Sequence, residues 1–194
     1  MRQGRRLKGK SCAIAWAAKQ CSWRSQSSPV GQQPYRTLAA PIIAPSWNVA
    51  PTDPLPIVYY DAKAGERSLD VMRWGLPYWA TDIKIGFSTF NARAEGVDTT
   101  PTFREAFQRR RRLVPLVSLY KWKKTAAGKQ PYAIALADWR LMALAGLWET
   151  WRSPAGERVR SCTIITTTLN ELCAGLHNRM PVFFEPVVWL EAGY

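Results

Sequence analysis

The spacing of hydrophobic residues changes several times along the chain, and each change marks an element. Residues 54–60, "PLPIVYY", form a continuous apolar run of strand length. Residues 68–76, "SLDVMRWGL", alternate as a strand, with Leu69, Val71 and Arg73 on one face. The intervening "AKAGER" reads as a turn. In "TPTFREAFQRRRR" the period becomes helical, and Phe103, Ala106 and Phe107 make an apolar stripe. Pro101 stands at its start, and Thr102 and Glu105 have capping-box spacing. Strands then dominate. "RLVPLVSLYKWKK" and "KQPYAIALADWR" read as β segments broken at "TAAGK", and "LMALAGLWETW" as a buried run. "SPAGER" is a turn, and "VRSCTIITTT" is strongly β-branched. "TLNELCAGLHNR" reads as a short helix with Thr168 and Glu171 at capping-box spacing, and "MPVFF" as a returning strand. The predicted class is α+β, mainly β: a curved sheet or partial barrel with a few short helices.

One alternation has no place in an ordinary core. In "TFNARAEG", residues 89–96, Asn91, Arg93 and Glu95 occupy every second position, with Ala92 and Ala94 between them. In a strand, the amide, guanidinium and carboxylate share one face, and the two methyls lie on the other. The alanines allow close packing behind a polar row. Asn91 can orient an amine or a sugar hydroxyl, and Arg93 presents a planar fork suited to phosphate. Glu95 is expected to pair with a nearby arginine.

Charge adds a second division. The chain of 194 residues carries a formal net charge of +13. Residues 1–40 hold eight Lys or Arg and no acid, whereas the remaining 154 have a net charge of only +5. A basic extension over 1–40, poorly ordered to about Gln33, is therefore expected ahead of a domain over 41–194. Its composition also matches an organelle transit peptide or a segment read from an unintended start. The positive balance favours an anionic partner, with nucleic acid the first choice. The ten tryptophans add candidate stacking surfaces. No apolar run approaches the ~18 residues of a membrane span. Cys12, Cys21, Cys162 and Cys173 form no CxxC pair and the chain has a single His, so no metal or other cofactor is expected. A reducing, cytoplasmic setting with free thiols fits this cysteine usage.

Nine stretches together resemble the SOS-response-associated peptidase family of abasic-site-processing proteins. They are "WNVAPTDPLPIV", "MRWGLPYWA", "NARAEG", "FREAFQRRRRLVP", "LYKWKK", "KQPYAIA", "AGLWETW", "IITTTLNEL" and "LHNRMPV", in family order over roughly 46–184. The resemblance implies single-stranded DNA bearing abasic sites as partner, a role in the DNA damage response, bacterial nucleoid association and a monomer. It also implies covalent capture of the lesion's aldehyde by an N-terminal cysteine freed of its initiator methionine. By motif position, Asn91, His177 and Lys121 are the catalytic candidates. Arg93, Arg179, Trp74, Trp79 and Trp122 are the DNA-binding candidates, the tryptophans as base-stacking or wedging groups with core packing as the alternative.

Three departures qualify that chemistry. Family members begin Met-Cys-Gly-Arg, and this chain begins Met1-Arg2-Gln3-Gly4-Arg5. Lys121 stands where the family has a proton-shuttling acid, and Arg112 where a cysteine is common. Enzymatic activity is therefore left undecided by the sequence. Non-covalent binding of single-stranded DNA and a degenerate product without activity both remain open.

Overall fold

The computed structural model describes residues 13–16, 45–61, 66–77, 82–170 and 178–184. Among these, β3 (Pro54–Asp61), β4 (Glu66–Trp74), β6 (Arg111–Leu116), β9 (Met142–Arg152) and β10 (Arg158–Thr167) close into a five-stranded barrel. The closing seam is a short parallel pairing of Ser161 with Arg73 and Cys162 with Trp74. A closed sheet has no exposed edges to protect. The predicted class therefore holds, with the partial barrel realised as a closed one.

Parity along the strands fixes the interior. Leu55, Ile57, Met72, Trp74, Val114, Leu144, Cys162 and Ile164 belong to one buried cluster. Burying each large side chain contributes roughly 1.5–3 kcal/mol. The opposite faces of β9 and β10 are buried as well. Ala145, Leu147 and Ile165 pack with Ala92, Val97 and Ala106, against Phe103 and Phe107. Burial on both faces explains why "LMALAGLW" reads as continuously apolar. On β4 the strand is as expected, but the core face is the other one. Met72 and Trp74 are buried, while Leu69, Val71 and Arg73 are half-buried.

Helix α1 (Pro101–Arg109) supplies the outer cover, with Ala106 buried. Its N-cap is Thr100, and no side chain caps it. Pro101 at the first helical position sets the start, so Thr102 is already inside the helix and the expected capping box does not form. Glu105 instead pairs with Arg110, which also reaches Glu149. The chain leaves the helix at Arg110 and continues as β6, so the arginine run ends as strand. Arg112 is buried there, its guanidinium 4.8 Å from the Tyr59 ring centre and 4.9 Å from that of Trp148.

A second sheet runs β2 (Ser46–Val49), β1 (Ala13–Trp16), β7 (Ser118–Thr125), β8 (Gly128–Ala135). Only Val117 separates β7 from β6, so the two sheets join at one residue. Leu119, Val49 and Leu116 extend the barrel's apolar cluster into this second sheet. Strand β1 lies inside the segment set apart as a basic extension. Its backbone nevertheless pairs on both sides, Ile14 with Val49 and Ile14 with Leu119. Residues 13–16 of the expected extension thus contribute a strand to this sheet. The acid-free composition concealed it, because backbone pairing makes no demand on charge. The helix expected over 168–179 falls largely outside the described residues, and 168–170 are irregular. "MPVFF" forms two short strands, β11 (Met180–Pro181) and β12 (Phe183–Phe184).

Candidate nucleic-acid interface

The polar row begins on β5 (Asn91–Arg93), which runs parallel to the end of β10: Asn91 with Ile164, Ala92 with Ile165, Arg93 with Thr166. On that end β11 pairs antiparallel, Thr166 with Pro181 and Thr167 with Met180. Two separate motifs, "NAR" and "RMP", are thus brought together by one strand. Ala92 is fully buried, and Ala94 packs against the same cluster, which is what small side chains behind a polar row permit. The strand ends at Arg93, and residues 94–96 make a single 3-10 turn. The row of three is therefore two strand positions plus one turn position, with Glu95 exposed and its carboxylate open to solvent.

Arg179 is the clamp of this end. Its Nε donates to Thr166 Oγ1 at 3.1 Å, and its Nη2 donates to the Thr166 carbonyl at 2.6 Å and to Glu95 Oε2 at 2.7 Å. Thr166 in turn donates its hydroxyl to the Ala92 carbonyl at 3.2 Å. The hydrogen bond from Arg179 holds the Glu95 carboxyl below the usual carboxylate range. Glu95 is thus the structural partner of an arginine, as expected. Arg179, expected on DNA, spends these donors on the protein. By contrast, no hydrogen bond or ion pair engages the side chain of half-buried Asn91 or exposed Arg93 among the described residues.

The approach to β5 is fixed from the other side. Trp74 is 0% exposed. Its Nε1 donates to the Phe90 carbonyl at 2.8 Å, and its ring meets Phe90 edge-on at 5.7 Å. A side chain with no solvent face cannot stack on a base, so the stacking role for Trp74 is replaced by the core alternative. Trp74 seats the residue just before Asn91. The preceding 3-10 turn, Ile83–Phe87, lies against the end of β4 through two glycines. Gly75 has φ +123°, and a Cβ there would stand 2.4 Å from the Gly86 carbonyl oxygen. Packed this closely, the turn leaves Ile85 and Phe87 exposed beside Lys84. These residues were not among the candidates named from the sequence. The signal was "KIGF": a cation with apolar residues on each side of a glycine, directly upstream of the polar row.

Lys121 and Trp122 lie on β7, in the other sheet. Lys121 is 6% exposed and stands opposite Tyr132. Half-buried Trp122 has its ring 6.4 Å from that of Tyr120. His177 and Trp79 lie outside the described residues. Cys162 is free but sits inside the barrel, where burial pushes its thiol pKa up and leaves it no nucleophilic role. Among the described residues no group of three His, Cys, Asp or Glu is placed to hold a metal, and no helix is long and apolar enough to cross a membrane.

Known proteins are similar to this chain. The abasic site processing protein YoqW of Bacillus subtilis (strain 168) is 43% identical over 140 residues, covering 71% of this chain and 62% of that protein. The abasic site processing protein HMCES of Gallus gallus is 30% identical over 171 residues, covering 73% of this chain and 51% of that one. The chain thus spans between half and two thirds of the length of these relatives. A solved structure of a protein from Bacteroides thetaiotaomicron superposes with a TM-score of 0.70 at 26% identity, covering 79% of this chain and 68% of the other. The family profile described as SOS response associated peptidase (SRAP) matches residues 15–192. With more than half its length matched, the chain belongs to the SOS response associated peptidase family.

Proposed function

We propose that this chain binds single-stranded DNA at abasic sites as a monomer in the DNA damage response. Asn91 faces the lesion's sugar, and Arg93 holds an adjacent phosphate. One observation carries the reading. At the end of β10, Thr166, Arg179 and Glu95 are bonded into one network, while the side chains of Asn91 and Arg93 make no hydrogen bond or ion pair among the described residues. Half-buried polar groups are normally satisfied, so an Asn91 amide without a hydrogen bond among the described residues, beside the exposed fork of Arg93, fits a ligand. Arg93 offers two parallel donors to a phosphate. The relatives named as abasic site processing proteins support the substrate class.

Lys121 limits the chemistry. A lysine ammonium has three donors and no acceptor, so it cannot take a proton as a carboxylate does. His177 is the remaining group suited to proton transfer near neutral pH. The function proposed is therefore recognition of the lesion, with the peptidase and cross-linking steps of the family impaired.

The test uses fluorescence anisotropy on three labelled DNAs: single-stranded abasic, single-stranded intact and duplex. The expected order of affinity is that order. Equal or tighter binding to intact duplex would reject the proposal. On the abasic strand, no heat-resistant adduct is expected from the unaltered chain. A stable adduct would show that Lys121 is compatible with the full chemistry.

A further inference from the structure

Strands β7 and β8 pair through all eight registers from Ser118 with Ala135 to Thr125 with Gly128, so the two faces of the hairpin follow from parity. From Lys123 to Ala133 every residue is exposed, so among the described residues the outer half is an arm with no sheet behind it. Lys124 stands directly opposite Lys129. Like charges in that position are unfavourable, and a two-stranded ribbon is marginal by itself. The sequence supplies no relief, since no Asp or Glu occurs between Glu105 and Asp138. Among the described residues, none of the arm's lysines has an ion-pair partner. On the same face as the lysine pair lie Tyr120 and Trp122, rings 6.4 Å apart.

A cross-strand arginine pair, Arg152 with Arg158, is also exposed but is a weaker candidate. Glu157 adjoins it in sequence, and the next residue on its face, Arg160, is already paired with Asp70. Charge on the β7–β8 arm is uncompensated and is interleaved with aromatic rings. That combination suits a flexible polyanion with exposed bases, for which rings stack on bases and cations follow the backbone.

We infer that the Tyr120–Trp122–Lys124–Lys129 face of the β7–β8 arm is a second binding surface for the single-stranded DNA backbone, flanking the lesion and setting the length of strand the protein covers. The inference rests on the proposed function, and it adds a place on the molecule and a length dependence. Two phosphates are taken by Lys124 and Lys129, and their repulsion is relieved on binding.

The experiment measures affinity and its salt dependence for single strands of about 6 and about 16 nucleotides, spanning the range of site sizes of single-strand grooves. The proteins are the unaltered chain, Lys124→Ser/Lys129→Ser, Lys124→Arg/Lys129→Arg and Arg93→Ala. On the long strand the serine pair should lower affinity several-fold. It should also make the slope of log K against log salt shallower by about 1.4, at about 0.7 for each phosphate no longer neutralised. The short strand should bind the serine pair as it binds the unaltered chain, and the arginine pair should restore the slope. An unchanged slope on the long strand overturns the inference, as does an equal loss on both lengths. Arg93→Ala reads the lesion site separately, with weaker binding on both lengths. If Arg93→Ala has no effect while the serine pair retains its own, the lesion site fails and the arm stands. If the unaltered chain binds neither length, or binds only duplex or an acidic protein, both fail. Melting curves for all four proteins separate misfolding from weakened DNA binding, since removing the lysine repulsion should leave the melting temperature unchanged or raised.

Discussion

Strands β5 and β7 each carry a three-residue alternation at a motif of the family, yet they bury opposite members. On β5 the small residue Ala92 is buried, and its polar neighbours Asn91 and Arg93 are half-buried and exposed. On β7 the charged residue Lys121 is buried at 6% exposure, and its aromatic neighbours Tyr120 and Trp122 are half-buried. Register explains the difference. Leu119 is 1% exposed in the barrel's apolar cluster, and Lys121 lies two residues on, on the same face. A one-residue slip to free the lysine would expose Leu119 and turn the rest of the strand over. Lys121 therefore follows the face that Leu119 sets. On β5 no such conflict exists, because the residue facing the core is an alanine. A binding strand keeps its polar groups available when the core-facing positions are small. A charge placed on the core-facing parity is held inward by its neighbours.

The largest expected effect concerns what holds β5 in place. Trp74→Ala should destabilise the protein by about 3–5 kcal/mol, as for other large buried aromatics, measured by denaturant unfolding. Trp74→Phe keeps most of the packing and loses the bond to the Phe90 carbonyl, so its cost should be near 1 kcal/mol. If Trp74→Phe also weakens DNA binding without touching DNA, seating of β5 through Phe90 is confirmed. Unchanged binding would mean that β10 alone positions the strand.

The next effect is at Lys121. With no ion-pair partner among the described residues, replacing it by an apolar chain of similar length should help. Lys121→Met is expected to raise stability by about 1 kcal/mol in the same assay. A loss of similar size would reveal a satisfied lysine and remove the contrast with β5.

The smallest effect is a pH dependence at Glu95. Its folded-state pKa is lowered, first by the hydrogen bond from Arg179. The stability it adds is therefore present above the ordinary glutamate pKa and is lost as pH falls through the lowered value. The Glu95 carboxylate is open to solvent, which screens the pair, so the change should be slight. Glu95→Gln should remove this slight acid-limb dependence and leave the neutral-pH melting temperature nearly unchanged. An acid limb identical in Glu95→Gln and the unaltered chain would place the titration elsewhere.

How much of this was legible in the sequence depended on the kind of signal. Strands β3, β9 and β10 announced themselves because each face must be filled and β-branched or apolar residues fill it. The core face of β4 was misread because Leu69 and Val71 are apolar but only half-buried, while the deciding residues, Met72 and Trp74, alternate with them. Strand β1 was invisible because backbone pairing leaves no mark on a four-residue stretch inside a basic segment. At the interface, Asn91, Arg93 and Glu95 were readable from alternation. The engagement of Arg179 with Thr166 was not, because 13 positions separate them and only the pairing of β11 with β10 brings them together. Trp74 and Trp122 could not be told apart from motif membership, since burial depends on which parity faces the barrel.

The central claim is that Arg93, which makes no hydrogen bond or ion pair among the described residues beside the end of β10, holds a DNA phosphate. The direct measurement is the dissociation constant of Arg93→Ala and of the unaltered chain for an abasic single strand across a salt series. Arg93→Ala is predicted to weaken binding by about 1–3 kcal/mol, to make the salt slope shallower by about 0.7 and to leave the melting temperature unchanged. The same affinity and the same slope in both proteins would contradict the claim.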